Sequence, residues 1–286
     1  MSRESAPLIT IIVAVLNGKA TLQHCIDSVA EQTYPNRELI IIDGGSKDGT
    51  VDVLGENREK ITFWISEPDR GIYNAWNKGL AQAKGEWICF LGADDFFWDA
   101  RGLERMVEQL GKLPPSVCVA YGQIMLISAE GETLGPVGEP WQKIKERFDQ
   151  FMCIPHQGVM HRRSLFEKHG NFDESFRIAG DYELLLRELK KTDAFYIPDI
   201  ITIAMRQGGL SSDPANTLLI LREFRRAQRM QGQSLPGRIL LMAMVKESIR
   251  LLLWNVLGER LARKLLDQRR RLRGLPPYWT KTKNRH

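Results

Sequence analysis

Apolar strand-like runs alternate with helix-period segments through the first half of the chain. Residues 8–15 and 39–42 are near-continuous β-rich apolar runs, and the first is followed by apolar residues at helical spacing, Leu22, Ile26 and Val29. Strands that helices cover on both faces have continuous rather than alternating apolar patterns. The alternation therefore predicts an α/β fold, with a mainly parallel central sheet and helices on both of its faces.

The charge of the chain is divided unevenly between its two parts. Residues 217–286 contain 17 Lys/Arg and 4 Asp/Glu, a net charge of +13, whereas residues 1–216 contain 23 and 31, a net charge of −8. An acidic body is poorly suited to nucleic acid, and a basic tail favours an anionic partner. We therefore expect two domains, an acidic α/β domain over residues 1–215 and a basic, amphipathic helical extension over residues 216–286.

Cysteine usage and the N-terminal residues bear on the compartment. The four cysteines are scattered without a Cys-x-x-Cys spacing, and the first strand begins almost at the N-terminus, without the long apolar segment of a signal peptide. This pattern is typical of a reducing compartment. We expect a cytoplasmic location.

Two adjacent carboxylates follow the fourth strand-like run. Residues 87–91 are apolar, and Asp94 and Asp95 come directly afterwards with no basic residue beside them. Like charges repel, and a hard divalent cation with oxygen ligands is the usual partner for such a pair. The alternative is a solvated turn before the next helix.

Other polar residues stand at equivalent places in the predicted sheet. Val15 and Asn17 come at the end of the first strand, and Asp43 comes at the end of the second. Ligands of open α/β sheets bind outside the carboxyl ends of the strands, near the point where strand order reverses. The sequence therefore predicts that Val15, Asn17, Asp43, Asp94 and Asp95 share one crevice.

Four stretches of the chain, taken together, resemble the family 2 glycosyltransferases with a GT-A fold. They are residues 12–17 (IVAVLN), 42–50 (IDGGSKDGT), 67–79 (EPDRGIYNAWNKG) and 92–95 (GADD), and the resemblance extends over residues 7–212. It implies a Rossmann-like GT-A fold and transfer of a sugar from a nucleotide-sugar donor, expected to be a UDP-sugar, with inversion at the anomeric carbon. It also implies Mg²⁺ or Mn²⁺ as the metal.

The resemblance assigns roles to the residues at the donor side. Asp43 matches the carboxylate that binds the nucleotide base, and the alternative is a turn residue that bonds the amides of Gly44 and Gly45. Asp95 is expected to ligate the metal, and Asp94 to face the ribose or a metal-bound water. Arg70 could contact base or phosphate, or be a plain surface charge. Asn74 stands where many relatives carry Asp, so it receives no charge-dependent role.

The acceptor side needs a general base, because inverting transfer requires a group that takes the proton of the attacking hydroxyl. Residues 178–183 (IAGDYE) match the block that carries this base in the family, and Asp181 falls at the required position. Gly180 replaces the acidic neighbour of many relatives. The alternative for Asp181 is the N-cap of the following helix. His156 could contact diphosphate or acceptor, or be a structural histidine.

The C-terminal extension carries a wide apolar stripe at helical spacing. Its members are Met242, Val245, Ile249, Leu252, Leu253, Val256 and Leu257, and Lys246 and Arg250 interrupt the stretch too often for a transmembrane helix. Together with Trp254 and the basic cluster at 269–273, the stripe fits a helix that lies on an anionic membrane surface. The alternative is packing on the catalytic domain or in a dimer contact.

These predictions combine into one expected function. The chain is expected to be a metal-dependent inverting glycosyltransferase, peripheral on the inner face of the cell membrane, whose acceptor is a glycan or a lipid-linked glycan intermediate of cell-surface polysaccharide assembly. Two alternatives stay open from the sequence. One is a sugar-phosphate nucleotidyltransferase, although residues 17–20 offer little of the Gly-rich, Arg-containing loop it needs. The other is a non-catalytic membrane-bound scaffold with a vestigial GT-A fold.

Overall fold

The computed structural model describes residues 6–128, 130–209, 214–272 and 274. Nine strands occur in that part of the chain: β1 Ile9–Val15, β2 Arg37–Asp43, β3 Phe63–Ser66, β4 Trp87–Gly92, β5 Phe96–Phe97, β6 Val119–Ile127, β7 Thr133–Val137, β8 Val159–Arg162 and β9 Phe195–Arg206. The helices there are α1 Lys19–Ala30, α2 Thr50–Glu56, α3 Ile72–Gln82, α4 Gly102–Leu110, α5 Trp141–Phe148, α6 Arg163–His169, α7 Gly180–Leu189, α8 Thr217–Met230 and α9 Arg238–Arg271.

The strands form one sheet in the order β3–β2–β1–β4–β8–β6–β9–β5, with β7 beside β6. β1 to β4 pair in parallel, β8 is antiparallel to both β4 and β6, and β9 is parallel to β6. β5 and β7 are antiparallel to their neighbours, so six strands of this sheet share one direction and three oppose it. The predicted mainly parallel sheet is confirmed.

Helices cover both faces of the sheet, as the continuous apolar runs predicted. Side chains from successive residues of β1 enter different cores: Ile12 joins a cluster with residues of α3, α5 and α7, and Ile11 joins one with residues of α1 and α4. Side chains alternate between the faces of a strand, so a strand buried on both faces is apolar along most of its length. The polar exception in β1 is Thr10, whose hydroxyl donates to the buried Glu38 carboxylate.

The strand order reverses at β1, which lies between β2 on one side and β4 on the other. Such a reversal opens a crevice at the carboxyl ends of the strands, because the connections on its two sides diverge. The ends of β1, β2 and β4 are therefore the place where a ligand of this sheet is expected.

The chain divides into two compact units, residues up to Leu235 and residues from Pro236 onward. α8 belongs to the first unit and packs against α7, where the rings of Phe224 and Tyr182 lie 4.8 Å apart. The boundary predicted after residue 215 stays a prediction.

The second unit contains α9, which bends at Gly258, where the backbone leaves helical geometry. Met242, Val245, Ile249, Leu252 and Val256 recur at helical spacing along α9, and each is at least 50% exposed. The side chains of Leu253, Trp254, Arg269 and Arg270, together with Arg273, lie outside the described residues. Among the helices that the structure describes, none has the length and apolar character needed to span a membrane.

Candidate active site

A cavity of about 800 Å³ opens at the carboxyl ends of β1 and β4. Six of the predicted site residues line it: Val15, Asn17, Asp94, Asp95, His156 and Asp181. They come from the strand ends, from the loop before β8 and from the start of α7, which are distant in sequence. Asp43 and Arg70 lie outside this lining. The cavity therefore brings together the carboxylate pair and the predicted base.

Asp94 and Asp95 follow β4 and differ in their surroundings. Asp95 is buried, and its carboxylate accepts hydrogen bonds from the backbone N–H of Gly92 at 2.9 Å and of Arg206 at 3.3 Å. Asp94 is more exposed. A Cβ at Gly92 would lie 2.8 Å from Asp94 Oδ1 and 3.1 Å from Asp95 Oδ2, so both carboxylates converge over this glycine.

The convergence of two carboxylates in a buried place has an electrostatic consequence. The pKa of Asp95 is raised to about 8, mainly by burial and secondly by the charge of Asp94. A positive charge against the pair would therefore favour the ionised form of Asp95 at neutral pH. The described residues contain no group of three or more His, Cys, Asp or Glu side chains arranged for a metal ion. The pair fits a hard cation that takes its remaining ligands from a substrate or from water.

Asp43 lies at the end of β2 and is fully buried. Its Oδ2 accepts hydrogen bonds from the backbone N–H of Gly45 and Ser46, at 3.2 and 3.0 Å, and from the Ser66 hydroxyl at 2.5 Å. The Ser46 hydroxyl donates to Oδ1. Asp43 thus forms the turn that was the alternative to base binding, but it bonds the amides of Gly45 and Ser46 instead of those of Gly44 and Gly45. The role of Asp43 in binding a base stays a prediction.

Asn17 ties the end of β1 to the loop after β2. Its backbone is in the left-handed region, with φ of 53°, a conformation that Asn adopts more readily than most residues. The Asn17 N–H donates to the Ser46 hydroxyl at 2.6 Å, and its side-chain oxygen accepts from the Lys47 N–H at 3.0 Å. Val15 adds a backbone link, because its carbonyl accepts from the Gly44 N–H at 2.9 Å. These hydrogen bonds join residues 15–17 to residues 44–47 at the rim of the cavity.

Asp181 lies in the first turn of α7, on the cavity wall. The helix is capped by Ala179, so the alternative that Asp181 is the N-cap is wrong. The Tyr73 hydroxyl lies 3.2 Å from Asp181 Oδ1 and 2.6 Å from the Ile178 carbonyl, and the Tyr182 N–H donates to Oδ1 at 2.8 Å. Burial raises the pKa of Asp181 to about 6, against the lowering effect of these hydrogen bonds. A carboxylate in this state accepts a proton near neutral pH.

The packing around Gly180 explains why no acidic side chain precedes Asp181 in this chain. A Cβ at this position would lie 2.8–2.9 Å from three ring atoms of Tyr73. The buried Tyr73 ring therefore occupies the space that any side chain at position 180 would need, and the same ring places its hydroxyl beside Asp181.

His156 is a buried aromatic wall of the cavity. Its ring stacks on Trp76, with centroids 5.1 Å apart, and on Phe90, 5.9 Å apart. Burial lowers its pKa to about 3, so the ring is neutral at physiological pH. Its Nε2 atom has no hydrogen-bond partner among the described residues. A neutral His156 can donate or accept one hydrogen bond but does not attract a phosphate by charge.

Arg70 lies at the surface, before α3. Its guanidinium forms an ion pair with Glu174, which also accepts hydrogen bonds from Asn74 at 2.9 Å and Asn77 at 3.0 Å. The Arg70 side chain is 77% exposed. This matches the surface-charge alternative, and its contact with a donor stays a prediction.

Several lining residues were not predicted from the sequence. Tyr73 lies within the stretch 67–79 that carries the family resemblance, but the sequence assigned it no role. Arg177 and Arg206 are cations in an otherwise acidic part of the lining, and Ile220 and Phe224 come from α8. Only the helical spacing of α8 could have indicated a wall, because nothing in its sequence indicates which cavity it closes.

Comparisons with known proteins agree with this geometry. Residues 10–170 match the protein-family model described as "Glycosyl transferase family 2". The "PGL/p-HBAD biosynthesis glycosyltransferase" of Mycobacterium bovis (strain BCG / Pasteur 1173P2) is 33% identical over 186 residues, which are 64% of this chain and 70% of that protein.

Two solved structures have the same fold. The mannosyltransferase PcManGT from Pyrobaculum calidifontis, in complex with GDP-Man and Mn²⁺, superposes with a TM-score of 0.64 at 18% identity and covers 97% of this chain and 83% of its own. S. aureus TarS 1–349 in complex with UDP-GlcNAc gives 0.62 at 16% identity, over 84% and 71%. Against another TarS structure, the match covers only 39% of that chain. These likenesses confirm the predicted GT-A fold.

Proposed function

The chain belongs to glycosyltransferase family 2, and from that premise we propose that it transfers a sugar from a nucleotide-sugar donor to a hydroxyl acceptor with inversion at the anomeric carbon. The observation that carries this proposal is the presence of Asp94, Asp95 and Asp181 in the lining of one cavity at the strand-order reversal. Family membership also removes the alternative of a sugar-phosphate nucleotidyltransferase.

The donor is proposed to bind along the ends of β1, β2 and β4. Val15, Asn17 and Asp94 line that side of the cavity, and Asp43 shapes the turn beneath it. Two structural neighbours were solved with UDP-GlcNAc and with GDP-Man, which supports a nucleotide sugar. We expect a UDP-sugar here, with His156 offering a neutral hydrogen bond and Arg70 a contact at the rim.

Asp95 and Asp94 would hold Mg²⁺ or Mn²⁺, which supplies charge neutralisation of the departing diphosphate. The convergence of both carboxylates over Gly92 and the raised pKa of Asp95 support this assignment. The two main-chain hydrogen bonds to Asp95 fix its carboxylate in place. Asp94, with fewer constraints and greater exposure, would reach the ribose or a metal-bound water.

Asp181 is the proposed general base. In the reaction, the acceptor hydroxyl oxygen forms a bond to the anomeric carbon, the bond from that carbon to the diphosphate oxygen breaks, and the hydroxyl proton moves to Asp181. With its pKa raised to about 6, Asp181 is ionised at cytoplasmic pH and is still a stronger proton acceptor than an ordinary aspartate. The hydrogen bond from Tyr73 orients the carboxylate.

The acceptor is proposed to be lipid-linked, as in the assembly of cell-surface polysaccharides. The wall of the cavity beside Asp181 is largely apolar, and its members are Met152, Ile154, Ile178, Ile220 and Phe224. A purely polyhydroxylated acceptor would leave this surface without a matching group.

Release of nucleoside diphosphate tests the catalytic proposal. The protein is incubated with UDP-glucose, UDP-GlcNAc or GDP-mannose, with and without Mn²⁺, and donor binding is followed in parallel by thermal shift. Asp95→Ala should abolish metal-dependent release, whereas Asp52→Ala, an exposed aspartate on α2, should leave it unchanged. Full activity of Asp95→Ala in chelator-treated buffer would overturn the metal assignment. A melting temperature that no donor changes would overturn the donor site.

Association with a membrane is proposed for the second unit, which would place the enzyme on the cytoplasmic face of the membrane where its acceptor lies. The exposed apolar stripe of α9 and the exposed Arg238 and Lys246 support an anionic lipid surface as its partner. The protein should float with vesicles of phosphatidylcholine and phosphatidylglycerol, and less with phosphatidylcholine alone.

A triple variant tests this surface directly. Replacement of Val245, Ile249 and Leu252 by Ser should remove flotation, whereas Leu134→Ser, which changes an exposed leucine on β7, should retain it. Equal flotation of the triple variant and the unchanged protein would assign the binding to another part of the chain.

A further inference from the structure

A glutamate on α8 makes an unusual set of contacts with the segment that leads into α7. Glu223 is buried, and its Oε1 accepts a hydrogen bond from the Arg177 N–H at 2.8 Å. Its Oε2 accepts from the N–H groups of Ile178 and Ala179, at 2.9 and 2.8 Å. One side chain thus satisfies three consecutive main-chain donors, two residues before Asp181.

The same segment is held on its other side by α3. The Tyr73 hydroxyl lies 2.6 Å from the Ile178 carbonyl and 3.2 Å from Asp181 Oδ1, so its single proton is shared between these two acceptors. The peptide group of Ile178 and its neighbours is therefore fixed between a carboxylate from α8 and a phenol from α3. Both contacts bridge parts of the chain that are distant in sequence, so they constrain tertiary position rather than local helix geometry.

Two other residues of α8, one turn before Glu223 and directly after it, show that this helix forms part of the cavity wall. Ile220 and Phe224 line the cavity, while Glu223 points into the 177–179 segment. Phe224 also packs against the ring of Tyr182, the residue after Asp181, with centroids 4.8 Å apart. A shift of α8 would therefore move the cavity wall and the main chain that carries Asp181 together.

We propose that Glu223 is a positioning residue for the general base: it fixes residues 177–179 so that the Asp181 carboxylate is held against the acceptor hydroxyl. This rests on the proposed role of Asp181. Hydrogen bonds from main-chain N–H groups to a carboxylate are charge-assisted and strong, so they suit a fixed geometry. Displacement of a catalytic group by about 1 Å can reduce turnover about 100-fold.

The charge of Glu223 also affects the pKa of Asp181. Burial is the main cause of the raised pKa of Asp181, and the charge of Glu223 adds to it, while hydrogen bonds from Tyr73 and the Tyr182 N–H oppose it. The titratable groups that face Asp181 are thus Tyr73 from α3 and Glu223 from α8, and Arg177 lines the same cavity. Removal of the Glu223 charge should lower the pKa of Asp181 and extend activity to lower pH.

Glu223→Gln is the informative variant, because it keeps the size and most of the packing of the side chain. The amide has only one oxygen, so its NH₂ group would face at least one of the three main-chain N–H donors. We expect kcat for diphosphate release to fall about 10- to 100-fold with little change in donor KM. The acid limb of the kcat/KM profile should move to lower pH, which a merely structural role would not cause.

Arg225→Gln is the matched control on the same helix. The Arg225 guanidinium is buried and donates to the carbonyls of Gln233 and Ser234, away from residues 177–179. It should lower the melting temperature without moving the acid limb. If Arg225→Gln also lowers kcat and moves the acid limb, as Glu223→Gln is expected to do, the effect comes from general loosening of α8, and the positioning role of Glu223 is refuted.

A measurement without turnover separates this inference from the proposed function. The difference in melting temperature between Asp181→Asn and its parent is followed against pH in the unchanged protein and in the Glu223→Gln background. The pH at which the difference develops should be lower in the Glu223→Gln background. If Asp181→Asn retains full turnover, the base assignment fails. If it loses turnover but Glu223→Gln leaves kcat, the acid limb and this pH unchanged, the role of Glu223 alone is refuted.

Discussion

The raised pKa of Asp181 makes a prediction about stability as well as catalysis. Its folded-state pKa of about 6 exceeds the ordinary value of 3.8, so ionisation of Asp181 is less favourable in the folded protein than in the unfolded chain. Below pH 3.8 the group is neutral in both states and has no effect. Above pH 6 it is charged in both states, and the full difference acts against folding.

The magnitude follows from the shift of roughly two pH units at about 1.4 kcal/mol each, which gives about 3 kcal/mol. Solvent reaches part of the carboxylate, so we expect Asp181→Asn to stabilise the protein by about 1–3 kcal/mol at pH 8. The Asn oxygen can still accept from Tyr73 and from the Tyr182 N–H. This corresponds to a melting temperature about 3–10 °C higher at pH 8, with little difference at pH 4.

Thermal unfolding of Asp181→Asn and the unchanged protein between pH 4 and pH 8 is the assay, with diphosphate release measured on the same preparations. Turnover should fall about 10²- to 10⁴-fold, as for loss of a general base. Asp193→Asn is a control of opposite sign, because hydrogen bonds from Lys145 and Trp141 lower the pKa of Asp193. It should reduce stability at pH 8, where Asp193 is charged in the folded and unfolded states, and this loss should not grow into a gain anywhere between pH 4 and pH 8. A stability difference for Asp181→Asn that is the same at both pH values would refute the reasoning.

Three further predictions concern the same cavity. The melting temperature of metal-free Asp95→Asn should rise relative to that of the unchanged protein as the pH increases from 4 to 9, because the folded-state pKa of Asp95 is about 8 and its ionisation opposes folding. This variant should also lose Mn²⁺-dependent diphosphate release. Gly180→Ala should destabilise by about 1–3 kcal/mol and lower kcat, because its Cβ would meet the Tyr73 ring, whereas Gly55→Ala in α2, with open space around it, should be neutral or stabilising in a urea titration. Tyr73→Phe should move the acid limb of the kcat/KM profile to higher pH, because the Tyr73 hydrogen bond lowers the pKa of Asp181.

The parts of the fold that follow from local pattern could be predicted from the sequence. The interiors of β1, β2 and β4 are mostly apolar because both of their faces are buried. The polar residues at their carboxyl ends, Asn17, Asp43 and Asp94, are therefore brought to one edge of the sheet. The insertion of the antiparallel β8 between β4 and β6 could not be predicted. No periodicity in a four-residue strand indicates which neighbours it pairs with.

Contacts between distant segments limited the prediction of the site. Asp43 has an ordinary turn sequence after it, but its burial depends on Ser66, which is 23 residues away on β3. Glu223 falls in a segment whose basic charge distinguished it from the acidic body, and yet its carboxylate serves residues 177–179. Charge composition reports what a segment presents to solvent, whereas the three hydrogen bonds of Glu223 depend on which buried donors lie opposite it.

Asp95 and Asp181 both have raised pKa values, but different groups would stabilise their charged forms. This difference supports separate roles for the two carboxylates. Asp94 supplies the charge that adds to the burial of Asp95, and the two carboxylates converge, so ionisation of Asp95 depends on a cation against the pair. Asp181 is raised by burial with a contribution from Glu223, and it keeps two hydrogen bonds that favour its charged form. At neutral pH, Asp181 therefore ionises without a cation, but Asp95 does not. Separation of this kind is expected where one carboxylate ligates a metal and another takes a proton in the same reaction.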